Sequence, residues 1–218
     1  MAATAVWAIV VAAGEGRRFG AQKQFAPLAG RSVLEWSLDA ARSVAAGVVL
    51  VVPPDRVEDP ALAGLADALA AGGATRADSV RAGLARVPDE AAFILVHDAA
   101  RPLATPALFA AVLAALGEGV DGAVPGLTPA DTVKRVAGDT VTETLPRAEL
   151  VTVQTPQAFR AEVLRKAHAS GLDATDDAAL LEAIGATVKV VAGEATNTKL
   201  TVPEDLERAA ALLGRVTG

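Results

Sequence analysis

Three glycines and three cations share residues 10–25: Gly14, Gly16 and Gly20 are interleaved with Arg17, Arg18 and Lys23. Glycine lets backbone N–H groups approach an anion closely. Guanidinium and ammonium groups then neutralise charge that amides alone leave uncompensated. The loop follows an apolar run, as expected where a buried strand delivers the chain to a phosphate site. It is not a Walker-type loop, because no Gly-Lys-Ser/Thr follows at that spacing. It also fails Gly-x-Gly-x-x-Gly, since Phe19 stands where the third glycine is required. A third kind of phosphate loop is the expectation, and a nicotinamide dehydrogenase is disfavoured. The same residues also suit a tight surface turn with solvated arginines.

A second set of chemistry-bearing residues ends another apolar run, in His97-Asp98-Ala99-Ala100-Arg101-Pro102. A carboxylate at a strand end beside cations suits a Mg²⁺ neighbour or a hydroxyl acceptor. Equally, Asp98 could cap its own loop and pair with Arg101. His97 reads as a packed, hydrogen-bonded residue, and no serine or histidine is placed for a triad. His168, near a helix end, reads as surface. Gly72 and Gly73 open a further glycine loop that runs to Ser79. Its amides and hydroxyl suit either the reading of a base edge or a plain turn with a helix cap. Lys199 follows the last strand between Thr198 and Thr201, where it could face a cleft or solvent.

The elements that position these residues alternate in type. Apolar runs at 6–12, 48–52, 93–96, 123–127, 150–155 and 188–191 read as strands. Helical patterns follow Ser32 (Val33, Leu34, Trp36, Leu38, Ala41) and cover 60–71, 79–87, 105–116, 160–169, a segment capped within 175–177, and 203–213. Alternation of this kind implies an α/β fold with a mostly parallel sheet covered on both faces. Ligands then sit beyond the carboxyl ends of the strands, where the loops after Ala12 and Val96 both lie. Residues 131–145 differ: two polar β-prone runs flank Ala137-Gly138-Asp139, which reads as a hairpin arm projecting from the domain. One domain over residues 1–218, with 131–149 as its excursion, fits the length.

Composition narrows the function. The chain has 218 residues, 52% hydrophobic but 3% aromatic, so its core must be built largely from Ala, Val and Leu. Cysteine is absent, which excludes disulfides, a thiol nucleophile and a Cys-ligated zinc site and suits a cytoplasmic enzyme. A formal net charge of −6 argues against nonspecific nucleic-acid binding. No run is long enough for a membrane span, and no basic region precedes the first apolar run, so a signal peptide is not expected.

Read in order, Ala12-Ala13-Gly14-x-Gly16-x-Arg18-Phe19-Gly20 with Lys23-Gln24 resembles the signature loop of the sugar-nucleotide pyrophosphorylase superfamily. Arg76-Ala77-Asp78-Ser79-Val80, His97–Pro102, Asp131-Thr132-Val133-Lys134, Gln154-Thr155-Pro156-Gln157, Thr175-Asp176-Asp177 and Asn197-Thr198-Lys199-x-Thr201 narrow the likeness. The ordered set resembles the 2-C-methyl-D-erythritol 4-phosphate cytidylyltransferases of the non-mevalonate isoprenoid pathway. The resemblance implies a Rossmann-like three-layer sheet of the nucleotide-diphospho-sugar transferase type, with the hairpin as a dimerisation arm. It implies transfer of CMP from CTP to a polyol phosphate with release of pyrophosphate, in a homodimer. Ribitol 5-phosphate or another polyol phosphate is the rival acceptor. Arg18 and Lys23 would stabilise charge on the reacting α-phosphate. Ala12, Ala13, Gly14, Gly16, Gly72, Gly73 and Ser79 would bind CTP. Asp98, Arg101, Thr132, Thr175 and Lys199 would position the sugar phosphate, and Arg147 would reach the neighbouring subunit's site. Mg²⁺ would be held mainly by the CTP phosphates. The sequence departs from the commoner pattern at Gln22, at Thr198 and in lacking a tryptophan after Arg147.

Overall fold

The computed structural model describes residues 5–16 and 18–216. The chain enters through β1 (Val6–Val11), makes a small ribbon of β2 (Pro27–Leu28) and β3 (Arg31–Ser32), and turns into α1 (Val33–Arg42). Ser32 starts α1 with a full capping box, its hydroxyl and the Glu35 carboxylate each serving the other's backbone N–H. Then come β4 (Gly47–Val52), β5 (Ala68–Ala71), α2 (Arg76–Leu84), β6 (Phe93–Asp98) and α3 (Pro106–Ala114). β7 (Gly122–Leu127) precedes the arm, β8 (Val133–Ala137) and β9 (Thr140–Leu145). The chain closes with β10 (Thr152–Val153), β11 (Gln157–Arg160), α4 (Ala161–Ala169), α5 (Asp177–Ala183), β12 (Val188–Ala192) and α6 (Pro203–Val216).

The sheet order is β10-β7-β11-β6-β1-β4-β5, with β12 beside β7. β1 pairs in parallel with β4 and β6, β4 with β5, and β12 with β7, while β10 and β11 run antiparallel to their neighbours. Alternation along each strand splits the core in two. Ala8, Val10, Leu50 and Leu95 meet α1 and α3 through Leu34, Leu38, Phe109 and Val112. Ile9, Val51, Ile94 and Phe159 meet α2, α4 and α5 through Val80, Leu84, Leu164, Leu180 and Leu181. This is the three-layer α/β arrangement expected from the alternating pattern. α6 closes a third cluster with Leu28, Val33 and Leu200. Among the described residues no helix is long and apolar enough to cross a membrane.

Several elements differ from their sequence reading. Residues 60–71 are not a helix. A short 3₁₀ turn, Pro60–Leu62, is capped by Asp59, and Gly64 with φ of +81° ends it. The chain then straightens into β5, where Asp67 accepts the Val48 N–H at 2.8 Å. The helix expected from Ser79 begins at Arg76, because Thr75 and Asp78 form a capping box just ahead of it. β11 was missed between Pro156 and α4, and residues 150–155 contribute only the two-residue β10. The arm is a hairpin as read, forming its own two-stranded sheet with an irregularity between Arg135 and Val136. Val136 and Val141, paired across it, are 57% and 55% exposed.

Candidate functional site

Strand β1 lies between β6 and β4. The chain leaves it on one side through α1 and returns on the other through α2, so the sheet's connections reverse there. Clefts in open α/β sheets form at such points. A cleft of about 540 Å³ opens there, lined by Ala12, Ala13, Gly14, Gly16, Arg18, Lys23, Gly73, Arg76, Ser79, Asp98 and Lys199 among others. The loops after β1 and β6 therefore do meet, and the loop before α2 and the segment after β12 join them. Arg17 lies outside the described residues.

The β1 loop is held open by side chains. The Gln24 amide, buried, donates to the carbonyls of Ala12 at 2.6 Å and Gly14 at 3.1 Å. Gly16 adopts φ of +66°, and a Cβ there would stand 1.9 Å from the Ala21 carbonyl oxygen, so only glycine fits this turn. In the second loop the Ser79 hydroxyl accepts the Gly73 N–H at 3.1 Å and donates to the Thr75 carbonyl at 3.0 Å. Ser79 thus shapes the loop, with one acceptor position of its oxygen left for another partner. A Cβ on Gly73 would stand 2.3 Å from that of Asp78, which explains the glycine by close approach.

On the other wall the Asp98 carboxylate bridges two cations. Its Oδ1 takes Arg76 Nε at 3.2 Å and its Oδ2 takes Lys199 Nζ at 2.6 Å. Burial works to raise this carboxyl, but the charges of Arg76 and Lys199 prevail and hold it well below the usual range. Arg101 is not its ion-pair partner, as one reading of the sequence had it. Its guanidinium donates to the Asn197 carbonyl at 2.8 Å, steadying the segment that carries Lys199. Asn197, fully buried, donates to the Thr155 carbonyl at 2.9 Å, and Gln154 ties down Glu194 and Asn197. The fragments around Gln154 and Asn197 therefore serve to place Lys199 opposite Asp98. Lys23 is half-buried, and burial, Lys199 and Arg18 together lower its ammonium below the ordinary value. The cleft is a concentration of positive charge waiting for an anion.

The structure leaves some of the named residues outside this cleft. Thr132 and Arg147 are exposed at the two ends of the arm, and Arg147 donates to the Ala130 carbonyl. Thr175 is exposed just before α5. None of the three is among the lining residues. His97 is a packed residue, as read: it is fully buried, its Nδ1 lies 3.1 Å from the Thr155 hydroxyl, and burial lowers it to about 4. His168 is not surface. It is 3% exposed and bonds Asp177 at 2.9 Å, because α4 turns this face onto α5. Sequence reasoning also gave Arg76 no role, although the Thr75-x-x-Asp78 cap that fixes its backbone was visible.

Among the described residues no three His, Cys, Asp or Glu side chains gather with metal-binding geometry, and Asp98 is already engaged by two cations.

A three-layer sheet with a cationic glycine-loop cleft at its switch point defines a nucleotidyltransferase-type α/β fold. Residues 6–215 match the family model described as 2-C-methyl-D-erythritol 4-phosphate cytidylyltransferase, and the chain belongs to that family. It is 45% identical to the enzyme of that name from Nocardia farcinica, covering 96% of this chain and 94% of that one. It is also 45% identical to the bifunctional enzyme IspD/IspF of Nitratidesulfovibrio vulgaris, over 92% of this chain and 56% of the other. The chain thus spans about half the length of the bifunctional relatives it matches. Among solved structures, the 2-C-methyl-D-erythritol 4-phosphate cytidylyltransferase of Thermus thermophilus is 40% identical with a TM-score of 0.80, covering 94% of this chain and 98% of that one. The 4-diphosphocytidyl-2C-methyl-D-erythritol synthase of Anaerococcus prevotii is 30% identical with a TM-score of 0.85, covering 97% of each.

Proposed function

We propose that this chain transfers CMP from CTP to 2-C-methyl-D-erythritol 4-phosphate, giving 4-diphosphocytidyl-2-C-methyl-D-erythritol and pyrophosphate. The observation that carries the reading is the gathering of Arg18 and Lys23 of the glycine loop with Arg76 and Lys199, the two cations that Asp98 bridges, around one cleft. Both reactants are polyanions, so bringing them together is the main difficulty. The acceptor phosphate is already ionised at neutral pH and needs no side-chain base. Its oxygen attacks the α-phosphorus, and the bond to the bridging oxygen of the pyrophosphate breaks. Arg18 and Lys23 bind the triphosphate and stabilise the charge that builds on the nonbridging and leaving oxygens. The amides around Ala12, Ala13, Gly14 and Gly16 cradle phosphate, and the loop of Gly72, Gly73 and Ser79 holds the cytosine. Asp98 and Lys199 orient the polyol phosphate, with Arg101 steadying Lys199.

A divalent cation would be held mainly by the CTP phosphates, with Asp98 the nearest protein carboxylate, and would supply charge neutralisation there. Thr132 and Thr175 belong to the set that positions the polyol phosphate, and Arg147 reaches the partner's site in a homodimer, to which the arm carries it. A cytoplasmic location belongs to the same proposal. The test is incubation with CTP, Mg²⁺ and a panel of polyol phosphates that includes ribitol 5-phosphate, followed by pyrophosphate release. Preferred turnover of 2-C-methyl-D-erythritol 4-phosphate is expected, with UTP poorer by ~1–3 kcal/mol for each cytosine-specific hydrogen bond lost. Equal turnover of UTP and CTP, or of all acceptors, would sink the reading.

A further inference from the structure

Behind the Asp98 wall lie two buried side chains, Asp177 and His168, that the proposed reaction does not touch. Asp177, the first residue of α5, is 1% exposed. Its Oδ2 takes Arg76 Nη1 at 2.7 Å and its Oδ1 takes His168 Nε2 at 2.9 Å. Arg76 sends Nε on to Asp98, and Asp98 holds Lys199. Five side chains from α4, α5, α2, β6 and the segment after β12 thus form one continuous path. Only its far end, Arg76, Asp98 and Lys199, lines the cleft.

Helix capping does not account for Asp177. Asp176 is the cap of α5, accepting the Ala179 N–H at 3.0 Å. Nor does stability favour it: a buried ion pair is often no better than apolar packing of the same volume. Its distinctive effect is directional. A guanidinium presents a rigid planar fork, and an Arg76 tied only to Asp98 could turn about that contact. With Nη1 fixed by Asp177, the Nε edge is aimed at Asp98 Oδ1, which leaves Oδ2 for Lys199. His168 occupies the other Asp177 oxygen, so a single oxygen is left to receive Arg76. Burial works to raise the Asp177 carboxyl, but the His168 hydrogen bond and the Arg76 charge outweigh it and keep the carboxylate ionised.

We propose that Asp177 and His168 are positioning residues that fix, through Arg76, the orientation of Asp98 and Lys199 toward the polyol phosphate. This rests on the assignment of that wall to the acceptor. The experiment compares wild type with Asp177→Asn, His168→Leu and His168→Gln. The kinetic constants for CTP and for the polyol phosphate are measured separately. Asp177→Asn and His168→Leu should lower kcat/KM for the polyol phosphate by about tenfold or more, the scale of losing an orienting group behind a ligand. KM for CTP should move by less than about threefold, because the glycine loop is held independently by Gln24. His168→Gln, whose amide can still donate to Asp177, should recover most of what His168→Leu loses. Equal impairment of both substrates, unchanged kinetics in all three variants, or a His168→Gln as poor as His168→Leu would overturn the proposal. A second readout does not depend on turnover: hydrogen exchange at Arg76 Nε should be slow in wild type and quicken in Asp177→Asn and His168→Leu. Unchanged exchange overturns the positioning role. Failure of wild type to use any polyol phosphate would instead refute the proposed reaction, and the exchange measurement would then decide the positioning role alone.

Discussion

Substituting His97 should remove most of the mildly acidic decline in stability. The imidazole is fully buried, 5.0 Å from the Phe109 ring centroid and bonded to Thr155. The Asp98 N–H donates to the same Thr155 hydroxyl at 3.0 Å, so that hydroxyl links the His97 ring to the backbone of the cleft wall. Burial, reinforced by the Arg101 and Arg76 charges and opposed by Asp98, carries the imidazole from 6.5 down to about 4. In the unfolded chain it protonates near 6.5. Between those values the unfolded state therefore holds more protons, and stability must fall as pH falls. The contribution is complete above about pH 6.5 and exhausted near pH 4. At 1.36 kcal/mol for each tenfold change in proton affinity, it amounts to about 3 kcal/mol, a large share of the stability of an ordinary domain.

His97→Asn keeps a hydrogen-bonding group where Nδ1 meets Thr155 and removes the titration. Urea unfolding of both proteins between pH 7.5 and 4, at one protein concentration, measures the difference. The variant should be less stable near pH 7.5 because of the space it leaves, and its deficit should shrink by about 3 kcal/mol by pH 4. The carboxylates act in a separate window. Asp98 and Asp177 lie below 3.8 when folded, so their contribution is lost only as pH falls through 3.8 and beyond. Parallel stability curves for wild type and His97→Asn across pH 7–4 would refute the assignment of a neutral buried imidazole.

Arg18→Ala or Lys23→Ala should lower kcat by ~100-fold or more while CTP binding weakens less, the scale of losing one transition-state donor. A rise in KM alone, with kcat preserved, would assign them uniform binding instead. Because the Lys23 ammonium lies below its ordinary 10.5 in the free cleft, CTP affinity should weaken as pH rises through that lowered value. Lys23→Arg should move this alkaline limb upward, and a limb that stays in place rules out Lys23 as its source. If Arg147 serves the partner's site, mixing Arg18→Ala with Arg147→Ala after dissociation should restore activity in roughly a quarter of sites, since half the dimers are mixed and one site in each carries neither defect. No recovery in mixed dimers means that Arg147 acts within its own chain.

What the sequence disclosed and what it hid divide along a physical line. The β1 loop was readable because its chemistry is local: glycines and cations lie within a few residues of the strand that ends at Val11. Asp98 was readable for the same reason, as a charge at the end of an apolar run. Its partners were not, since Arg76 and Lys199 lie 22 and 101 residues away. Only the sheet order, with β1 between β6 and β4, brings their elements to one edge. Alanine-rich segments were hidden differently. Residues 60–71 place Leu62, Leu65 and Leu69 at helical spacing, but a 3₁₀ turn capped by Asp59 and a left-handed glycine at 64 override that local pattern. His168 was misplaced because a polar residue near a helix end is usually solvated, and what buries it is a carboxylate on the next helix. A sequence announces the side chains that meet a substrate more readily than those that aim them, because a buried charge declares its purpose only through its partner. That is why the path from His168 to Lys199 became visible only once five separate elements were placed side by side.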